Sequence, residues 1–181
     1  MRNDMIEKTI SSKRIHEGKV LNLRVDEVLL PNDKTSLREI VEHNGAVAIV
    51  AVTDDNKILM VRQYRKAVEK VLIEIPAGKL EKGEAPYDCA ERELIEETGF
   101  RAHQLDEVME IITSPGFCTE KIHLFVARDL TVDYLENDED EFIDIITMNL
   151  DEALGKIVSG EIVDSKTIIG LLYYKMYYSA S

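Results

Sequence analysis

Gly78 to Phe100 reads GKLEKGEAPYDCAERELIEETGF, and its interpretation decides how the rest of the chain is placed. Ala85 to Thr98 is rich in good helix formers, with Pro86 near its start and Gly99 just past its end, which predicts a helix. Glu91, Glu93, Glu96 and Glu97 fall inside it. At about 3.6 residues per turn, Glu93 and Glu97 lie one turn apart on one face, with Glu96 beside them. Like charges so spaced repel, by a few tenths of a kcal/mol per pair at an exposed site. A cation removes that penalty. Hard oxygen ligands of this kind suit Mg²⁺, which usually keeps its own waters and the phosphates of a substrate. A solvated acidic face explains three glutamates taken alone, so the wider spacing has to decide.

From Gly78 the pattern runs through five residues to Glu84, then seven more to Arg92-Glu93-Leu94, then Glu96-Glu97 and Gly99-Phe100. This resembles the Nudix box, GX5EX7REUXEEXGU with U a bulky apolar residue, and every fixed position is filled. Nine constrained positions in a 23-residue window make the match specific. The resemblance implies a Nudix-type α/β/α sandwich with a mixed sheet and hydrolysis of a nucleoside diphosphate linked to another moiety. It also implies divalent ions, Mg²⁺ or Mn²⁺ in its place. Glu93 and Glu97 are then the main metal ligands and act in catalysis, Glu96 is an additional or outer ligand, and the Ala77 backbone carbonyl is a further one. Arg92 and Glu84 are expected to pair and hold loop against helix. Gly78 and Gly99 answer to backbone geometry and Leu94 to core packing.

The 181 residues suit one domain of ordinary size, or one with a small appendage, and 45% hydrophobic residues can supply its core. The net charge of −13 argues against a broad nucleic-acid surface and against anionic membranes. It leaves room for a small anionic substrate, because a bound divalent ion inverts the local field. Cys89 and Cys118 are the only cysteines and carry no metal-ligand spacing or redox motif. A reducing cytoplasm is expected. The N-terminus shows no signal-peptide pattern, and no stretch reaches membrane-span length.

Residues 1–17 are polar and carry little pattern. Alternation from Lys19 through Leu30 reads as a strand, a turn follows at Pro31-Asn32-Asp33, and Ser36 to Glu42 continues the β character. Residues 1–40 are therefore expected to form a small β-rich appendage to a main domain at 41–181. Ala46 to Val52 and Lys57 to Tyr64 read as a hairpin, Val71 to Ile75 as a short strand, and Val108 to Ile112 and Ile122 to Ala127 as strands around a Ser114-Pro115-Gly116 loop. After the polar run Leu130 to Glu141 come a strand at Phe142 to Met148 and helices at Asp151 to Val158 and Ser165 to Tyr178, the last capped by Asp164 or Ser165.

Beyond the box, Pro115 lies fifteen residues after Phe100 in an SPG setting, which resembles the ADP-ribose pyrophosphatase subgroup. The likeness extends over Arg38-Glu39, Gln63-Tyr64-Arg65 and Gly160-Glu161-Ile162 followed by Asp164-Ser165-Lys166-Thr167. It implies ADP-ribose as the small-molecule substrate, cleaved to AMP and ribose 5-phosphate. It further implies a homodimer in which the N-terminal strands exchange across subunits. A general base within reach of the attacking water is needed, and in such relatives it comes from an acidic loop well after the box. Here that loop is Glu136 to Glu141, with Glu139 expected as the base, Glu141 as a metal ligand, and Glu141 also the rival for the base. An exposed charge run explains most of these residues equally well. Arg38 and Arg65 match positions that hold substrate phosphates or the terminal ribose, work suited to a planar guanidinium. A surface ion pair is the competing explanation for Arg38. Pro115 and Gly116 are expected at the substrate, and Glu120 either touches ribose or faces solvent.

Overall fold

A computed structural model of the chain describes residues 5–133 and 142–178. Two compact units emerge, Met1–Gly45 with Ile112–Lys121, and Ala46–Ile111 with Ile122–Ser181.

The first unit contains a three-stranded antiparallel sheet of β1 (Lys8–Glu17), β2 (Asn22–Leu29) and β3 (Thr35–Glu42), with β2 in the middle. Residues 1–17 were expected to say little, yet β1 is ten residues long. Every one of its side chains is exposed. The strand is held by backbone pairing to β2 rather than by an apolar face, so hydrophobic alternation cannot reveal it. In β2 the buried side chains are Asp26 and Val28. Asp26 accepts from Ser12 Oγ at 2.6 Å and from Arg24 Nε at 3.2 Å. The Pro115 loop belongs to this unit. It is joined to β3 by Val41 N–H donating to Phe117 O at 2.8 Å and Thr119 N–H donating to Val41 O at 2.9 Å.

The second unit is built on a mixed sheet, ordered β10-β5-β4-β9-β8. Its strands are β4 (Ala46–Val52), β5 (Lys57–Arg65), β8 (Phe100–Ile112), β9 (Lys121–Val132) and β10 (Ile143–Asn149), while β6 (Lys70–Glu74) pairs with β5 and β7 (Ala77–Lys79) with β4. The β4–β9 ladder is parallel and the β4–β5 and β5–β10 ladders are antiparallel. The continuous apolar run in β4 has a simple cause: both faces of the sheet are covered. Val47, Ile49 and Ala51 meet Cys89, Ala90 and Leu94 of α1 (Pro86–Thr98). Ala48, Val50 and Val52 share the opposite core with Ala153 of α2 (Leu150–Ser159) and Leu171 of α3 (Ser165–Tyr177). Helices on both faces of the sheet give the α/β/α sandwich.

The helix α1 ends as its sequence predicts. Pro86 occupies its first turn, and Gly99 takes the left-handed conformation at φ 70° with its N–H donating to Ile95 O at 2.7 Å. Leu94 is fully buried, which contributes about 2 kcal/mol. The strand β8 begins at Phe100, eight residues before the expected start at Val108. Phe100, Ala102 and Leu105 pack on the α1 side, whereas Val108, Met109 and Ile111 pack on the other. Inward positions therefore do not keep one phase along the strand, which masks its period of two.

Candidate active site

The box folds into a strand, a loop and a helix, and the loop returns the chain so that β7 lies against α1. Glu97 is 6% exposed, and its Oε2 accepts the Ala77 backbone N–H at 3.0 Å. Glu93 lies over Gly78: a methyl group built there would overlap the Glu93 carboxyl, so glycine leaves that carboxyl its place against β7. Glu96 sits at the rim, its side chain 38% exposed. The expected grouping of Ala77, Glu93, Glu96 and Glu97 is thus a grouping in space.

Arg92 stands among these acids. Its Nε and Nη2 donate to Glu84 at 2.9 and 3.1 Å, and its Nη1 donates to Glu93 at 2.9 Å and to Glu96 at 2.8 Å. The expected Arg92–Glu84 pair is present and extends further than expected. The Arg92 hydrogen bonds, joined by a backbone bond from Glu81, hold the Glu84 carboxyl down at about 2 against the opposing effect of desolvation. The same contacts raise Arg92 well above its ordinary value, Glu84 first among them. One guanidinium faces three carboxylates, so the cluster retains excess negative charge. Burial first, then the nearby charges of Glu84 and Glu93, push the Cys89 thiol up to about 12, which makes it inert packing.

Among the described residues no group of three or more His, Cys, Asp or Glu side chains is already arranged as a cation cage. The donor chemistry nevertheless fits a hard divalent ion: carboxylates on one helical face, a peptide group beside them, and a glycine that makes room for Glu93.

Arg65 reaches Glu74 from β5, its Nε and Nη2 donating to the two carboxylate oxygens at 2.7 and 2.8 Å. Glu74 is 1% exposed and also receives Lys166 Nζ. Burial pushes the Glu74 carboxyl up, but the Arg65 hydrogen bonds and the Lys166 charge outweigh it and hold it below the ordinary carboxylate range. Sequence reasoning passed over Glu74, although a lone acid inside the apolar stretch Val71 to Ile75 was its signal.

In the first unit, Arg38, Pro115 and Gly116 line one cavity of about 350 Å³ together with Arg24, Ile40 and Phe117. Arg38 presents its fork to Glu7, with Nε–Oε2 at 2.9 Å and Nη2–Oε1 at 2.5 Å. Glu120 is not on the wall of this cavity; its Oε1 lies 3.5 Å from His43 Nδ1. The expected base Glu139 and the expected ligand Glu141 lie outside the described residues.

A family model described as the NUDIX domain matches residues 42–167, and one described as the nucleoside diphosphate sugar hydrolase N-terminal domain matches residues 7–41. A protein of Bacillus methanolicus named methanol dehydrogenase activator is 53% identical over 174 residues, covering 94% of this chain and 93% of its own. The ADP-ribose pyrophosphatase of Bacillus subtilis (strain 168) is 49% identical over 172 residues, covering 94% of this chain and 93% of its own. A solved structure described as an ADP compounds hydrolase superposes with a TM-score of 0.86 at 21% identity, covering 99% of this chain and all of that one, a likeness of fold. With every box position filled, its carboxylates gathered around Ala77 and Arg92, and the family model covering residues 42–167 that include them, the chain belongs to the Nudix hydrolase family.

Proposed function

We propose that the chain hydrolyses ADP-ribose, with water, to AMP and ribose 5-phosphate in a Mg²⁺-dependent reaction. The observation that carries the reading is the Glu93–Glu97 turn of α1 pressed against Gly78 and the Ala77 peptide. In the Nudix family such a carboxylate set serves the hydrolysis of a diphosphate. The Bacillus subtilis relative named ADP-ribose pyrophosphatase supports the choice of substrate.

Nudix hydrolases use divalent ions, and here Glu93, Glu97, Glu96, the Ala77 carbonyl and Glu141 would hold Mg²⁺, with Mn²⁺ as its substitute. Such an ion supplies positive charge to phosphate oxygens as the anhydride breaks. Glu139 takes the proton of the attacking water, and Glu141 is its rival. Arg38 binds substrate phosphate or ribose, an anionic ligand displacing Glu7 from the fork. Arg65 does the same from an orientation that Glu74 fixes. Pro115 and Gly116 shape the cavity wall, and Glu120 contacts ribose from the same unit. The working form is a homodimer in which residues 1–40 exchange between copies. Among the described residues no helix is long and apolar enough to cross a membrane, and both cysteines are free; we place the protein in the cytoplasm, without a nucleic-acid or membrane partner.

Release of AMP and ribose 5-phosphate from ADP-ribose, followed with Mg²⁺ and with chelator, tests this. The highest kcat/KM on ADP-ribose, across a panel of nucleoside diphosphate sugars, supports it; a higher value on another member reassigns the substrate. A second reading, activation of a methanol dehydrogenase, is favoured by the 53% identical relative of that name. It is checked by assaying such a dehydrogenase with and without the chain.

A further inference from the structure

The segment Asp164-Ser165-Lys166-Thr167 is not used by the reaction proposed above. Asp164 caps α3, its Oδ2 accepting the Thr167 N–H at 3.0 Å. The same oxygen accepts the Thr167 hydroxyl proton at 2.6 Å and lies 3.0 Å from Lys166 Nζ. With its proton committed to Asp164, the Thr167 oxygen turns a lone pair outward. It receives the backbone N–H of Ile75 at 3.0 Å, a contact between residues 92 apart in the chain.

That contact matters because of where Ile75 is. The chain leaves β6, which pairs with β5, and enters β7, which pairs with β4, so Ile75 and Pro76 belong to neither strand. Ile75 and Thr167 are both completely buried, so the Ile75 amide has no water to turn to if this acceptor is lost. The next two backbone groups are also pinned, each by a different element. Pro76 O accepts Ile49 N–H of β4 at 2.8 Å, and Ala77 N–H donates to Glu97 of α1 at 3.0 Å. Gly170 brings α3 onto the same spot: a side-chain carbon there would come within 3.0 Å of Ile75 Cδ1. Lys166 adds a second tie through Glu74, the residue just before Ile75.

We propose that Thr167, oriented by Asp164, is a positioning residue for the cation site. Held by it, the Ile75–Ala77 crossover keeps the register in which the Ala77 peptide faces Glu97. The inference rests on reading the Ala77–Glu97 group as the divalent-ion site. Thr167 touches neither the ion nor the substrate; it acts through three backbone units.

The test compares Thr167→Val, which keeps the shape and loses the acceptor, with Thr167→Ser, which keeps the hydroxyl. Mn²⁺ binding to the substrate-free protein is measured by electron paramagnetic resonance titration, and Ile75 amide exchange by NMR. Thr167→Val is expected to weaken Mn²⁺ binding about tenfold and to lower kcat by a similar factor, with KM for ADP-ribose at saturating Mg²⁺ within about twofold. Ile75 exchange accelerates, and Thr167→Ser restores wild-type values. If Thr167→Val does not fold, Asp164→Ala, which removes the acceptor that orients the Thr167 hydroxyl, takes its place with the same readings. A folded variant that melts earlier yet binds Mn²⁺ and turns over like wild type overturns the inference, leaving Thr167 a packing residue. Failure of the site reading looks different: Mn²⁺ binding by the wild type would then survive Glu97→Gln unchanged. That result overturns the inference as well.

Discussion

Arg92 grips Glu84 with two parallel hydrogen bonds of 2.9 and 3.1 Å, tying the loop before α1 to the helix itself. The pair has a pH signature whose sign follows from the shift. Arg92 lowers the Glu84 carboxyl from an ordinary 4.5 to about 2. A depressed acid stabilises the fold fully above its unfolded value, and that contribution disappears as pH falls through the folded value. Urea unfolding midpoints should therefore fall between about pH 4.5 and about pH 2, and Glu84→Gln should flatten that part of the curve.

Arg92 is also the counter-ion of Glu93 and Glu96. Arg92→Met leaves those acids without it, and stability should drop by about 1–3 kcal/mol. Added Mg²⁺ should raise the melting temperature of the variant more than that of the wild type, because the ion relieves a larger repulsion. Calorimetric melts across a Mg²⁺ titration measure the difference.

At Gly78 the test is steric. Gly78→Ala places a methyl group where the Glu93 carboxyl lies, so that side chain has to swing aside, at a cost of about 0.5–1.5 kcal/mol. Activity should fall at all Mg²⁺ concentrations. The double variant with Glu93→Ala, which removes the overlapping carboxyl, is the control and should recover stability but not turnover.

Glu97→Gln keeps an oxygen to accept the Ala77 N–H and removes the charge. The fold should persist by circular dichroism while kcat falls about 100-fold or more, beyond the usual cost of an outer-shell change. Turnover near wild type at saturating Mg²⁺ would contradict the metal assignment.

For the base, Glu139→Gln and Glu141→Gln are compared side by side. The true base should lose about 10²- to 10⁴-fold in kcat with little change in KM. The metal ligand should instead show a raised Mg²⁺ requirement. A pH–rate profile that loses its acid limb in only one variant assigns the role.

What was legible before folding is what local periodicity encodes. The helix carrying Glu93 and Glu97 announces itself through its formers, Pro86 and Gly99, and the doubly covered strand β4 through its unbroken apolar run. Each of those signals is contained in one short stretch of chain, and together they point to the sandwich and to the face on which the carboxylates meet. Tertiary structure alone decided the rest. The exposed strand β1 depends on its pairing to β2, and Glu74 was an isolated acid until Arg65 and Lys166 closed on it. The hold of Thr167 on Ile75 joins positions 92 residues apart. Such contacts arise because buried amides and charges must find partners wherever the fold brings them, and no spacing along the chain records where that will be.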